Sequence, residues 1–139
     1  NPNFYNALND LIQTYDRLGE TKGSSDMLKN VLQFYPTYLA RCPDDSRAHM
    51  YYAVHLAMAQ RSEEAKVEGR KALELNPEDS LMMYNAACLY ARLGEKKLVV
   101  DTLRNAVAGG QEDFEWIKRD PDLESIRNEP GYIDLIKGR

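Results

Sequence analysis

Two prolines, Pro43 and Pro77, stand 34 residues apart, and the landmarks between them recur at the same interval. Ala53 is matched by Ala87, Ala65 by Val99, and Ala72 by Ala106. A period of this length marks stacked helical hairpins, in which each repeat is too small to bury its own apolar face and is stable only against its neighbours. The chain is therefore expected to be all-α. Repeats of this kind usually bind other proteins, so the period points to a class of activity as well as to an architecture.

Composition excludes several alternatives. With 139 residues, 43% hydrophobic and 29% charged, the chain suits one domain with a continuous core. Its net charge of -4, with both signs interspersed, offers no broad positive field for a phosphate backbone or an anionic membrane surface. Neither nucleic acid nor membrane is expected as a partner. No apolar run approaches the ~20 residues needed to cross a bilayer, and Asn1 to Asp10 carry no basic segment followed by an apolar one. Cys42 and Cys88 lie far apart in helical patterns, which argues against a disulfide framework and for a reducing, cytoplasmic setting. The chain opens on an Asn-Pro pair that recurs at Asn76-Pro77, the mark expected of a piece cut from a longer protein at a repeat boundary.

Three units follow from the period. The third, residues 80–110, has Met83, Ala86-Ala87, Tyr90 and Leu93-Gly94 on its first helix and turn, then Val99, Leu103 and Ala106 on its second, closed by Gly109-Gly110. The second, residues 46–77, has His49, Tyr52-Ala53 and Leu56, then Ala65, Gly69 and Ala72, with Asp45-Ser46 supplying a side-chain cap and Asn76-Pro77 the stop. The first, residues 3–43, begins after Pro2 and places Leu8, Leu11-Ile12, Tyr15 and Leu18-Gly19 against the same landmarks, but it is seven residues longer. The excess falls after Gly19. Gly23-Ser24-Ser25-Asp26 is expected to turn and cap a second helix running to about Ala40, and Pro36 is expected to kink or break it near Phe34. Gly69 stands where a large side chain would be expected, so something bulky from elsewhere should fill the space.

In frame, residues 2 to 110 resemble the tetratricopeptide repeat family, whose units carry an aromatic, Leu-Gly and Tyr on one helix and Ala, Phe and a closing Pro on the next. That resemblance implies a right-handed α-α superhelix of about three hairpins. The period stops after the glycines. Residues 111–139 read as three short helices, with Pro121 and Pro130 at first-turn positions, and Trp116, Leu123, Ile126, Tyr132 and Ile136 supply apolar surface to cap the last repeat. The tail, following Tyr84 to Tyr90, also resembles those that close repeat regions in bacterial and archaeal signalling proteins, often behind a nucleotide-cyclase or serine/threonine-kinase domain.

No catalytic or metal site stands out in this pattern, and neither cofactor nor metal is expected. His49 and His55 lie six residues apart, about 240° round a helix of ~3.6 residues per turn, so they cannot chelate one ion together. Glu63-Glu64 and Asp44-Asp45 sit at helix starts, where they offset the helix dipole. Gly109-Gly110 lacks the further glycine and Lys-Ser/Thr of a phosphate loop, and no serine has a histidine at a telling spacing.

What remains is a groove. The first helix of each hairpin lines the concave side, and the helical period selects Arg47, Met50, Tyr51, Val54 and Met58 from the second unit and Leu81, Tyr84, Asn85, Cys88 and Arg92 from the third. The first unit offers Asn6, Asn9, Asp10, Gln13 and Arg17. Tyrosine with methionine suits an adaptable binding surface. The tail could instead fill the groove with Phe114 or Trp116. Met50 and Val54 stand where the chaperone-clamping members of the family need Lys and Asn, so a bare carboxylate would go unpaired there and that reading fails. The expected function is a non-catalytic interaction module for a peptide or partner helix; the alternative is the regulatory or oligomerising end of a signalling enzyme. A homodimer through the exposed face of the first repeat is a further expectation.

Overall fold

A computed structural model describes the backbone of residues 4–139 and the side chains of all of these except Phe4, Tyr5, Asn6, Asn9, Gln13 and Asp16. Pro2, the expected start of the first repeat, lies outside the described residues, as do the groove-facing side chains expected of Asn6, Asn9 and Gln13. Everything regular among the described residues is helical: α1 (Phe4–Arg17), α2 (Thr21–Arg41), α3 (Ser46–Met58), α4 (Ser62–Leu75), α5 (Ser80–Arg92), α6 (Lys96–Ala108), α7 (Phe114–Arg119), a 3-10 helix (Pro121–Ile126) and α8 (Pro130–Ile136). No helix among them is long and apolar enough to cross a membrane.

Short connections fold the helices into consecutive pairs, α1 on α2, α3 on α4 and α5 on α6. The first helix of each later pair also packs on the pair before it: α3 touches α1 and α2, and α5 touches α3 and α4. The middle pairs obey the 34-residue period closely, since α3 and α5 both start at a serine and run for 13 residues. An aspartate caps each. Asp45 accepts from the Ala48 N–H, and Asp79 from those of Leu81 and Met82, satisfying donors that the first helical turn leaves free.

The space beside Gly69 is filled by Leu89 of the next hairpin, whose Cδ2 would lie only 2.7 Å from a Cβ added there. The missing side chain is thus the socket for a knob from α5. The turns inside the hairpins repeat as well. Gly19 and Gly94 hold φ of +72° and +75°, and Gln60 holds +63° at the equivalent place. A side chain there costs about 1–2 kcal/mol, and glycine would relieve it.

Two clusters of buried side chains form the core. The larger runs from Met50 through α4, α5 and α6 into the tail at Ile117, Leu123, Ile126 and Tyr132. The smaller comprises Ile12, Val31, Tyr35, Leu39 and Ala48. Tyr52 packs against both.

The first hairpin departs from expectation at two points. Gly23 to Asp26 form no capping turn; α2 already begins at Thr21 and includes them. Gly23 sits close against Tyr15: a Cβ there would lie 3.1 Å from Cδ1 of the ring, tighter than ordinary contact. Nor does Pro36 break α2, which runs unbroken for 21 residues. Val31, Tyr35 and Leu39 are buried at helical spacing around it. Burying side chains of this size is worth about 1.5–3 kcal/mol each, enough to outweigh the ~3 kcal/mol of an interior proline.

The tail forms two short α-helices and one 3-10 helix, with Pro121 and Pro130 as first residues of their elements. It covers the outer side of α5 and α6. Gly131 lies so close to Val100 of α6 that an added Cβ would come within 2.6 Å of it.

Candidate functional site

The period that brings α3 and α5 side by side also brings their like-facing residues together. Met50, Tyr51 and Val54 of α3 and Tyr84, Asn85, Cys88 and Arg92 of α5 line one cavity of about 360 Å³. Asp10 and Arg17 of α1 complete its far side. The remaining expected residues fall elsewhere. Arg47 lines an adjoining recess of about 80 Å³ with Asp79, Leu81 and Met82. Met58 does not line this cavity; it packs against the first-hairpin core and lines a separate recess with Leu28 of α2.

The tail walls this cavity and leaves it open. Trp116, Asp120, Pro121 and Asp122 form one side, while Phe114 packs against the larger core under the Arg139 guanidinium, 4.7 Å from its ring centre. Asp120 holds the tail in place. It is 4% exposed, and its carboxylate accepts from the Tyr84 hydroxyl at 2.5 Å, from the Cys88 thiol at 3.7 Å and from the Asp122 N–H at 2.9 Å. Arg92 pairs with Asp122 at 3.0 Å, and the Arg127 guanidinium donates to the Asp120 carbonyl. Asp120 thus caps the 3-10 helix and satisfies a tyrosine that α5 buries. Sequence reasoning missed it by seeking an apolar plug in the tail. The signal was present in Tyr84, a buried phenol that needs a hydrogen-bond partner.

Charge in the site follows from burial. Burial first, and then the bonded Asp120 carboxylate, push the Tyr84 hydroxyl far above the ordinary phenol range. Burial, with the Asp120 and Asp122 carboxylates behind it, likewise raises the Cys88 thiol, so Cys88 stays protonated and unreactive. Burial also raises Asp122, with Arg92 opposing, and raises Tyr51, with Arg47 opposing. Ligand atoms of Cys88, Asp120 and Asp122 lie within 4.8 Å of one another, but a metal would need the thiolate that this setting disfavours and would compete with Tyr84 and Arg92 for the carboxylates. The cluster is a polar joint between α5 and the tail.

Both histidines belong to the packing. His49 bridges the Glu68 carboxylate of α4 at 2.6 Å and the Pro43 carbonyl at 2.8 Å. His55 lies 3.0 Å from the Tyr35 hydroxyl, and Tyr35 stacks on Tyr52 with ring centres 4.8 Å apart.

Over 60 residues, 43% of this chain, the sequence is 38% identical to a chloroplastic protein of Arabidopsis thaliana, and the match spans 18% of that protein's length. No family model matches the chain, and no solved structure matches it.

Proposed function

We propose that this chain is a non-catalytic interaction module of the tetratricopeptide kind, three hairpins in a right-handed superhelix, which takes a peptide or partner helix into the groove of α3 and α5. The observation that carries the reading is the convergence of Met50, Tyr51, Val54, Tyr84, Asn85, Cys88 and Arg92 on one open cavity. Its size falls within the ~300–1,000 Å³ of ordinary ligand pockets, room for one or two anchoring side chains. Met50 and Val54 supply apolar contact, Trp116 adds a half-exposed aromatic wall, and Arg17 and Arg92 with Asp10 fix orientation by charge. The packing of each hairpin's first helix on the preceding pair supports the stack.

The test is selection of binders from a displayed random-peptide library, with affinities then measured against Tyr51→Ala, Asn85→Ala and the outer-face control Lys71→Ala. Groove variants are expected to weaken the selected peptides by about tenfold or more, with the control unchanged. Peptides that bind all three variants like the unaltered protein would refute a groove-binding function.

A further inference from the structure

The charges around the α3–α5 cavity do not balance. Three carboxylates line it, Asp10, Asp120 and Asp122, against two guanidiniums, Arg17 and Arg92. Arg92 is neutralised by Asp122 at 3.0 Å, and Arg17 is offset by Asp10 of the same helix. Asp120 is left over. Its carboxylate is held by neutral groups, the Tyr84 hydroxyl and the Cys88 thiol on Oδ2 and the Asp122 N–H on Oδ1. Burial keeps the phenol and the thiol protonated, so both act as donors. Arg127 donates to the Asp120 main-chain carbonyl at 3.2 Å, but it lies outside the cavity lining, and no ion pair among the described residues includes Asp120. Neutral donors stabilise an anion without cancelling it, and Oδ1, with a single bond, keeps acceptor capacity. In a wall that excludes water, such a charge is felt strongly by whatever enters.

We infer that the anchor this groove takes from its partner is a basic side chain, an arginine or lysine of a peptide; the inference rests on the groove-binding reading above. Such a side chain joins an apolar stem to a charged head, and the cavity offers both kinds of surface. Met50 and Val54 provide apolar wall for the stem. Trp116, 44% exposed, stands on the same side as Asp120 and Asp122, and an indole is the ring that best receives a cation. A purely apolar anchor would leave the Asp120 charge unanswered, and an acidic one would bring a like charge up to it.

The test uses end-blocked random peptides without tryptophan, in four pools that fix the central position as arginine, citrulline, norleucine or glutamate. Trp116 is the sole tryptophan of the chain, so its fluorescence reports occupancy at the cavity wall. The arginine pool is expected to bind about tenfold or more tighter than the citrulline pool, which keeps the shape and the hydrogen bonds but not the charge, and the glutamate pool is expected to bind weakest. Asp120→Asn, which keeps an acceptor for Tyr84 and removes the charge, should bring the arginine and citrulline pools level, while Lys71→Ala keeps them apart. If circular dichroism shows that Asp120→Asn loses helicity, the pool comparison on the unaltered protein decides the matter. Citrulline or norleucine pools that bind the cavity as tightly as arginine, or an arginine preference undiminished in folded Asp120→Asn, would overturn this inference and leave the groove reading standing. Pools that all fail to bind, or that bind Tyr51→Ala like the unaltered protein, would overturn the groove reading and this inference with it.

Discussion

His55 shows how one buried residue ties this stack to pH. It is fully buried on α3, and its Nε2 has no hydrogen-bond partner among the described residues. Burial, assisted by the Arg92 guanidinium, holds its pKa down at about 4, against 6.5 for an open imidazole. A proton would add a second N–H where no acceptor waits. Between those two values the unfolded chain therefore binds more protons than the folded one, and stability falls as pH drops from 6.5 towards 4. The contribution is complete above the unfolded value and gone below the folded one. At ~1.4 kcal/mol per pH unit it amounts to about 3 kcal/mol in all. Urea unfolding at neutral pH and near pH 4.5 is expected to show the unaltered protein losing about 2 kcal/mol more than His55→Gln over the same interval. An equal loss in both would mean that the ring is protonated in the fold.

At the scale of the element, α2 is where local rules and tertiary packing disagree. Pro36 removes a backbone donor from the middle of the helix, and the helix continues because Tyr35 and Leu39 are fixed in the core on either side of it. Pro36 itself is exposed. Replacing it with Ala should therefore restore the hydrogen bond without disturbing packing and stabilise the protein by up to about 3 kcal/mol. Thermal unfolding reads this directly, and an unchanged or lowered midpoint would show that the proline is needed for the path of α2. The same disagreement marks the limit of what was legible in the chain. The period placed α3 to α6 and brought Met50, Tyr51, Val54, Tyr84, Asn85, Cys88 and Arg92 to one face, where they line a cavity, since caps such as Asp45 recur 34 residues on, at Asp79, and sockets such as Gly69 act between neighbouring hairpins. It could not place the start of α2, where Tyr15 lies against Gly23, nor foresee that Met58 packs against the first hairpin. Asp120 escaped for a similar reason, because its bond to Tyr84 spans 36 residues with no period to suggest it.

Across the whole molecule, the two cores are unequal and joined in series. Among the described residues, nineteen buried hydrophobic side chains hold α3 to α6 and the tail together, while five hold α1 and α2 to the start of α3. Each later pair packs on the pair before it, so the first hairpin, with fewer buried groups among the described residues, should open before the rest. Native-state hydrogen exchange is expected to show α1 and α2 amides exchanging through a partial opening well below the free energy of global unfolding, with α3 to α6 exchanging only through the latter. Ile12→Ala, at the usual ~2–5 kcal/mol for a buried large-to-small change, should lower protection in α1 and α2 alone. Leu103→Ala, in the larger core, should lower it everywhere the global event is limiting. Uniform protection from α1 to α6 would mean that Tyr52, packed against both cores, couples them into a single cooperative unit.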